Sequence, residues 1–166
     1  MAARGDQSHA KDLRPNPSVA TLRGAALAAG LLENACAPGS GDPLRLEVIR
    51  TLARDLKEEL EALAALAEVE AGASRIEAVE GALRAADVAN LAACVVPELL
   101  EARVPEVAAA TYLAVGAVRA LEVLIEAGIE DSPECQTSYA LKDARGAAWR
   151  AQLAARQVGE SLGKAG

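Results

Sequence analysis

Alanine occupies 40 of the 166 positions, and together with 22 leucines it recurs at helical spacing along nearly the whole chain. Ala gives up no side-chain entropy in a helix and Leu little, so this pairing biases the backbone toward α-structure. Strands are correspondingly starved. Aromatic residues make up 2%, Phe is absent, and there are only four Ile, too few pleat-filling side chains for a sandwich or a barrel. A hydrophobic fraction of 52% against 25% charged residues is too apolar for disorder. A chain of this length builds one core. The expected fold is all-α: a single domain, an elongated bundle of five or six helices over residues 18–166, preceded by a polar N-terminal tail over 1–17.

Turn-forming residues divide the pattern. The first helix is expected from about Ser18, which can cap it after Pro17, to Ala37, with Pro38-Gly39 stopping it. In the second, Asp42 caps and Pro43 takes the first helical position. Ile49, Leu52, Leu56, Leu60, Leu63 and Leu66 then alternate three and four apart. Lys57 with Glu61, and Arg54 with Glu58, can pair along its wet face, and Gly72 suits its C′ position. Ser74-Arg75-Ile76-Glu77 is a capping box that opens the third helix, which runs to Val96 before Pro97. After a short turn through Arg103, Pro105 opens a helix to Gly128 whose first half is apolar on every side, as a central helix should be. Ser132 and Pro133 start the last helix, which carries an Ala-rich seam to Leu162. Helices of roughly 35–45 Å at 1.5 Å per residue are long against a radius of gyration of about 15 Å for a compact domain of this size. Hence the elongated form, with small-residue seams that could also serve a dimer.

Charge and residue usage narrow the chemistry. A net charge of −7, with Glu122, Glu126, Glu130, Asp131 and Glu134 following one another without a base, argues against nucleic acid and anionic membranes as partners. The longest uncharged run, Val107 to Val118, is short for a bilayer. The segment before Pro17 has no apolar stretch of the secretory kind. Three cysteines, Cys36, Cys94 and Cys135, form no CxxC pair and fit structural thiols in a reducing cytoplasm. The single histidine, His9, lies in the polar tail. No metal site is therefore expected, nor a His-dependent nucleophile. Any acid or base would be a carboxylate, Tyr, Lys or water.

Several groups could carry such chemistry. Asp87 and Asn90, three apart beside an apolar stripe, offer a proton-transfer group and a carbonyl-binding amide. Equally, they could bond a neighbouring helix. Thr111 and Tyr112 are the polar side chains of the uncharged run. With Arg119 they could line a cleft for a small anion, or they could close on internal hydrogen bonds and an Arg119–Glu122 pair. Glu58, Glu61, Glu77 and Glu80 are spaced as magnesium-binding pairs, yet capping and ion pairing explain them. Ser138, Tyr139 and Asp143 open the last helix, where a polar ligand is favoured.

The run Ser18-Val19-Ala20-Thr21-Leu22-Arg23-Gly24-Ala25-Ala26-Leu27-Ala28-Ala29-Gly30, followed by a long charged helix, an Ala-rich helix and Val104-Pro105-Glu106-Val107-Ala108, resembles the cyclodeaminase/cyclohydrolase family that acts on one-carbon tetrahydrofolates. The likeness covers most of residues 18–160. It implies an all-α homodimer with a cleft at the subunit interface and a tetrahydrofolate derivative as substrate, with no cofactor required. Asp87 or Asp143 would move protons, and Asn90, Tyr112, Arg119, Ser138 and Tyr139 would bind the ligand. The family's glycine run is Arg14-Pro15-Asn16-Pro17 here, and its catalytic Ser-Asp corresponds to Ser138-Tyr139. Loss of those groups opens the alternative of a non-catalytic dimeric helical scaffold or protein-interaction module.

Overall fold

The computed structural model describes residues 16–70, 72–129 and 136–164. They form five long helices: α1 (Pro17–Ala35), α2 (Pro43–Val69), α3 (Arg75–Val95), α4 (Val104–Ile129) and α5 (Gln136–Lys164). Two 3₁₀ turns, Val96–Glu98 and Glu101–Arg103, join α3 to α4. No strand occurs among the described residues. The chain is a single all-α helical domain.

The helix starts follow local chemistry. Asp42 Oδ1 accepts the Leu44 N–H at 3.0 Å ahead of Pro43. Ser74 Oγ accepts the Glu77 N–H at 3.3 Å while Glu77 Oε2 accepts the Ser74 N–H at 2.7 Å, which closes the capping box. At α1 the cap is Asn16 rather than Ser18. Its Oδ1 accepts both the N–H and the hydroxyl of Ser18, at 3.0 and 2.6 Å. Pro17, lacking an N–H and fixed in φ, is therefore the first helical residue. This frees the buried Ser18 Oγ to accept the Ala73 N–H at 2.9 Å, fastening the start of α1 to the α2–α3 connection. At the end of α2 the cap is Glu70, so Gly72 falls at C″ rather than C′, its N–H donating to Ala67 O at 2.8 Å. The expected cap of α5, Ser132 with Pro133, lies outside the described residues.

The helices pack in two layers. α3 touches every other helix, α2 packs on α1 and α3, and α5 packs on α3 and α4. Thus α2, α3 and α5 form one layer with α3 in the middle, and α1 and α4 lie across them. The interior is built mainly of Ala and Val, with Leu22, Leu32, Leu60 and Leu121 as its largest fully buried apolar side chains. Each such Leu contributes roughly 1.5–3 kcal/mol over its exposed state. At the α1–α3 crossing Gly81 lies directly against Leu22. Elsewhere the turn after α1, with Gly39 at φ +89°, meets the α3–α4 connection. Gly41 bridges Leu99 there, and the Leu100 N–H donates to Ser40 O at 2.8 Å.

Among the described residues, ion pairs run between helices as often as along them. Arg54 bonds Glu33 of α1 at 2.8 Å instead of Glu58, and Lys57 makes no ion pair within 4 Å among the described residues. The Lys57 stem instead lies over Gly30 at 3.7 Å. The Glu33 side chain is part-buried on the neighbouring helix, so it is less solvated than the exposed Glu58 on the same helix as Arg54. The stretch Glu101–Gly128 is long and apolar enough to cross a membrane by length and composition alone. One face of α4 within it packs on α1, α3 and α5, and a buried core helix meets the same criterion.

Candidate functional site

The outward face of α3 carries a linked set of charges. Because α3 lies between α2 and α5, its exposed side chains can reach both. Arg84 contacts Glu59 of α2 at 2.6 Å, Glu80 at 3.6 Å and Asp87 at 3.9 Å, and Arg150 of α5 reaches Asp87 at 3.5 Å. Asp87 is thus a half-exposed carboxylate between two guanidinium groups, the middle link of a chain across three helices. Asn90 stands half-buried one turn further along α3.

The remaining sequence-derived candidates are dispersed. Asp143 is exposed and lines a groove of about 430 Å³ with Ser74, Arg75, Ile76, Val79 and Glu80 at the start of α3. Tyr139 is exposed one turn earlier on α5, and the Ser138 side chain lies outside the described residues. On α4, Thr111 is buried and its hydroxyl donates to Val107 O at 2.8 Å. Tyr112 points outward, its hydroxyl lying over Gly159 of α5. Arg119 bonds Glu122 at 2.6 Å. None of the five prominent grooves among the described residues is lined by Asp87, Arg119 or Tyr139.

No family model, curated protein or solved structure matches this chain. The site is therefore read from its own geometry.

No cluster of three or more His, Cys, Asp or Glu able to hold a metal is present among the described residues. Glu77 belongs to the capping box, and Glu80 pairs with Arg84. Burial pushes the Cys36 thiol up to about 11, with Arg50 opposing in part, so Cys36 is a poor nucleophile and a structural thiol. Cys94 is exposed rather than packed inside. Cys135 lies outside the described residues.

Sequence reasoning missed two features. One is Arg150 as a partner of Asp87, since 63 residues separate them. The other is a groove of about 580 Å³ between α1 and α2, with Arg23, Asn34 and Lys57 at its rim and Gly30 and Ala64 in its floor. The small residues at helical spacing in α1 were the signal for that groove, but they do not reveal which helix lies alongside.

Proposed function

We propose that this chain is a non-catalytic helical scaffold that acts by association, as a homodimer or protein-interaction module. The observation that carries the reading is the placement of large apolar side chains. Leu27, Leu44, Val48, Leu113, Val123 and Trp149 are all exposed, on the outward faces of four different helices. Where two stand one turn apart on one face, as Leu44 with Val48 on α2 and Trp149 with Leu153 on α5, they form the contiguous apolar surface that marks interaction sites. The dispersal of the candidate catalytic and ligand-binding groups supports the same reading. Helices of about 40 Å favour an elongated outline suited to a scaffold, and the free thiols Cys36 and Cys94 suit a reducing cytoplasm.

One observation favours a second reading, in which the domain binds a folate-type anion as the cyclodeaminase/cyclohydrolase resemblance implies. Asp143 and Glu80 share a groove with Arg75, the pairing of carboxylate and guanidinium that a heterocyclic carboxylate substrate needs. A thermal-shift titration with reduced folates separates the two. The scaffold reading expects no shift. A ligand at a thousandfold excess over its dissociation constant would add about 4 kcal/mol, and such a shift abolished by Asp143→Asn would overturn the scaffold in favour of the binding domain.

A further inference from the structure

On an edge helix of a soluble domain the outward stripe is normally polar. α2 departs from this. Its positions 44, 48, 51, 55 and 58 point away from the bundle at alternating steps of four and three. Leu44 is 81% exposed and Val48 60%, while Thr51, Asp55 and Glu58 continue the stripe, also exposed. Neither acid has an ion-pair partner within 4 Å among the described residues.

α5, at the other edge of the same layer, carries a stripe with the same steps in the opposite direction. Read backwards it is Leu153, Trp149, Gly146, Lys142 and Tyr139. Trp149 is 65% exposed and Tyr139 66%, and Lys142 has no ion-pair partner among the described residues. α5 is also the basic helix, with five Lys or Arg against two acids. α2 has four against six.

We infer that α5 of one molecule docks antiparallel on α2 of a second copy of this chain. The inference rests on the scaffold reading above and names its surface. With Val48 opposite Trp149, Leu44 meets Leu153 and Thr51 meets Gly146. That leaves open space beside the indole, since nothing lies within 4 Å of a Cβ at Gly146. The same register sets Asp55 against Lys142 and Glu58 against the Tyr139 hydroxyl. The apolar pairs exclude water and the charged pair fixes the register, as in a short two-helix coiled coil. Trp is the residue type that most often anchors such contacts. Because α2 and α5 lie at opposite edges of one layer, the contact is head-to-tail and leads to rings or open chains rather than a closed twofold dimer.

Trp149 is the only tryptophan, so its emission reports directly on this surface. Sedimentation velocity and fluorescence of the full chain from micromolar to several hundred micromolar should show mass rising past twice 17.0 kDa, with a parallel blue shift. Asp55→Lys and Lys142→Glu should each weaken association at least tenfold, and a 1:1 mixture of the two variants should restore it. Circular dichroism checks that both variants are folded. A twofold assembly with unchanged Trp149 emission would overturn this surface and leave the scaffold reading intact. Mass fixed at 17.0 kDa throughout would overturn this inference and the homodimer, and leave of the scaffold reading only a module for a different protein. Failure of the mixed variants to recover would overturn the register and the inference with it.

Discussion

A close helix–helix contact in the interior allows a sharp test of the fold. Gly81 of α3 faces Leu22 of α1. A Cβ added there would overlap Leu22 Cδ2 and come within 3.3 Å of Leu121 Cδ1. Both leucines are fully buried, so neither can swing into solvent. Gly81→Ala therefore gains about 1 kcal/mol of helix propensity and loses about 1–3 kcal/mol to overpacking, ending neutral to mildly destabilising. Leu22→Ala alone costs about 2–5 kcal/mol through lost burial and a cavity. In that background the overlap disappears, the new methyl enters the vacated space, and Gly81→Ala becomes stabilising by about 1 kcal/mol. The substitution changes sign, and the coupling equals the overpacking it relieves, about 1–3 kcal/mol. Urea unfolding followed at 222 nm on the four proteins of the cycle measures it. Additivity within about 0.5 kcal/mol would refute the α1–α3 contact.

Two further outcomes follow from named contacts. Gly41→Ala would drive a methyl into the Glu98 carbonyl and to 3.1 Å from Leu46 Cδ1, breaking the Gly41–Leu99 bridge. A loss of about 2–3 kcal/mol is expected in the same urea assay. Because burial holds the folded Cys36 thiol near 11 against an ordinary 9.0, the native state retains a proton that the unfolded chain releases between those values. The contribution of this thiol to stability should be constant below pH 9 and fall as pH rises toward 11, and denaturation of Cys36→Ala across that range should lack this component.

Much of the fold was legible because it is written in neighbouring residues. Asp42-Pro43 and the Ser74 to Glu77 box act over two or three positions, and both caps formed where the sequence placed them. The α1 cap was misassigned because Ser18 and Asn16 are both competent caps. Only the position of Pro17 at the first helical turn, and the use of Ser18 Oγ by Ala73 from 55 residues away, decides between them. The ion pairs failed for the same reason. Arg54 could reach Glu58 by helical spacing, but α1 brings Glu33 to it. Of the candidate site, the Arg119–Glu122 pair and the internal bond of Thr111 were open to a reading one turn along α4. The surroundings of Asp87 were not, because they depend on α3 lying between α2 and α5.

That middle position also explains how the molecule divides its side chains. Alanines fill the interfaces, so helices can approach toward the close end of the usual 8–10 Å range, and little room remains inside for larger groups. Among the described residues four leucines are fully buried, eight more pack part-buried against the core, and seven are exposed. The seven exposed leucines forgo the hydrophobic stabilisation that burial would supply. The association proposed above would recover part of it by covering the outer faces of the edge helices. Under the scaffold proposal, the exposed Leu, Val and Trp side chains are the counterpart of the alanine interior, the groups through which a second molecule would be bound.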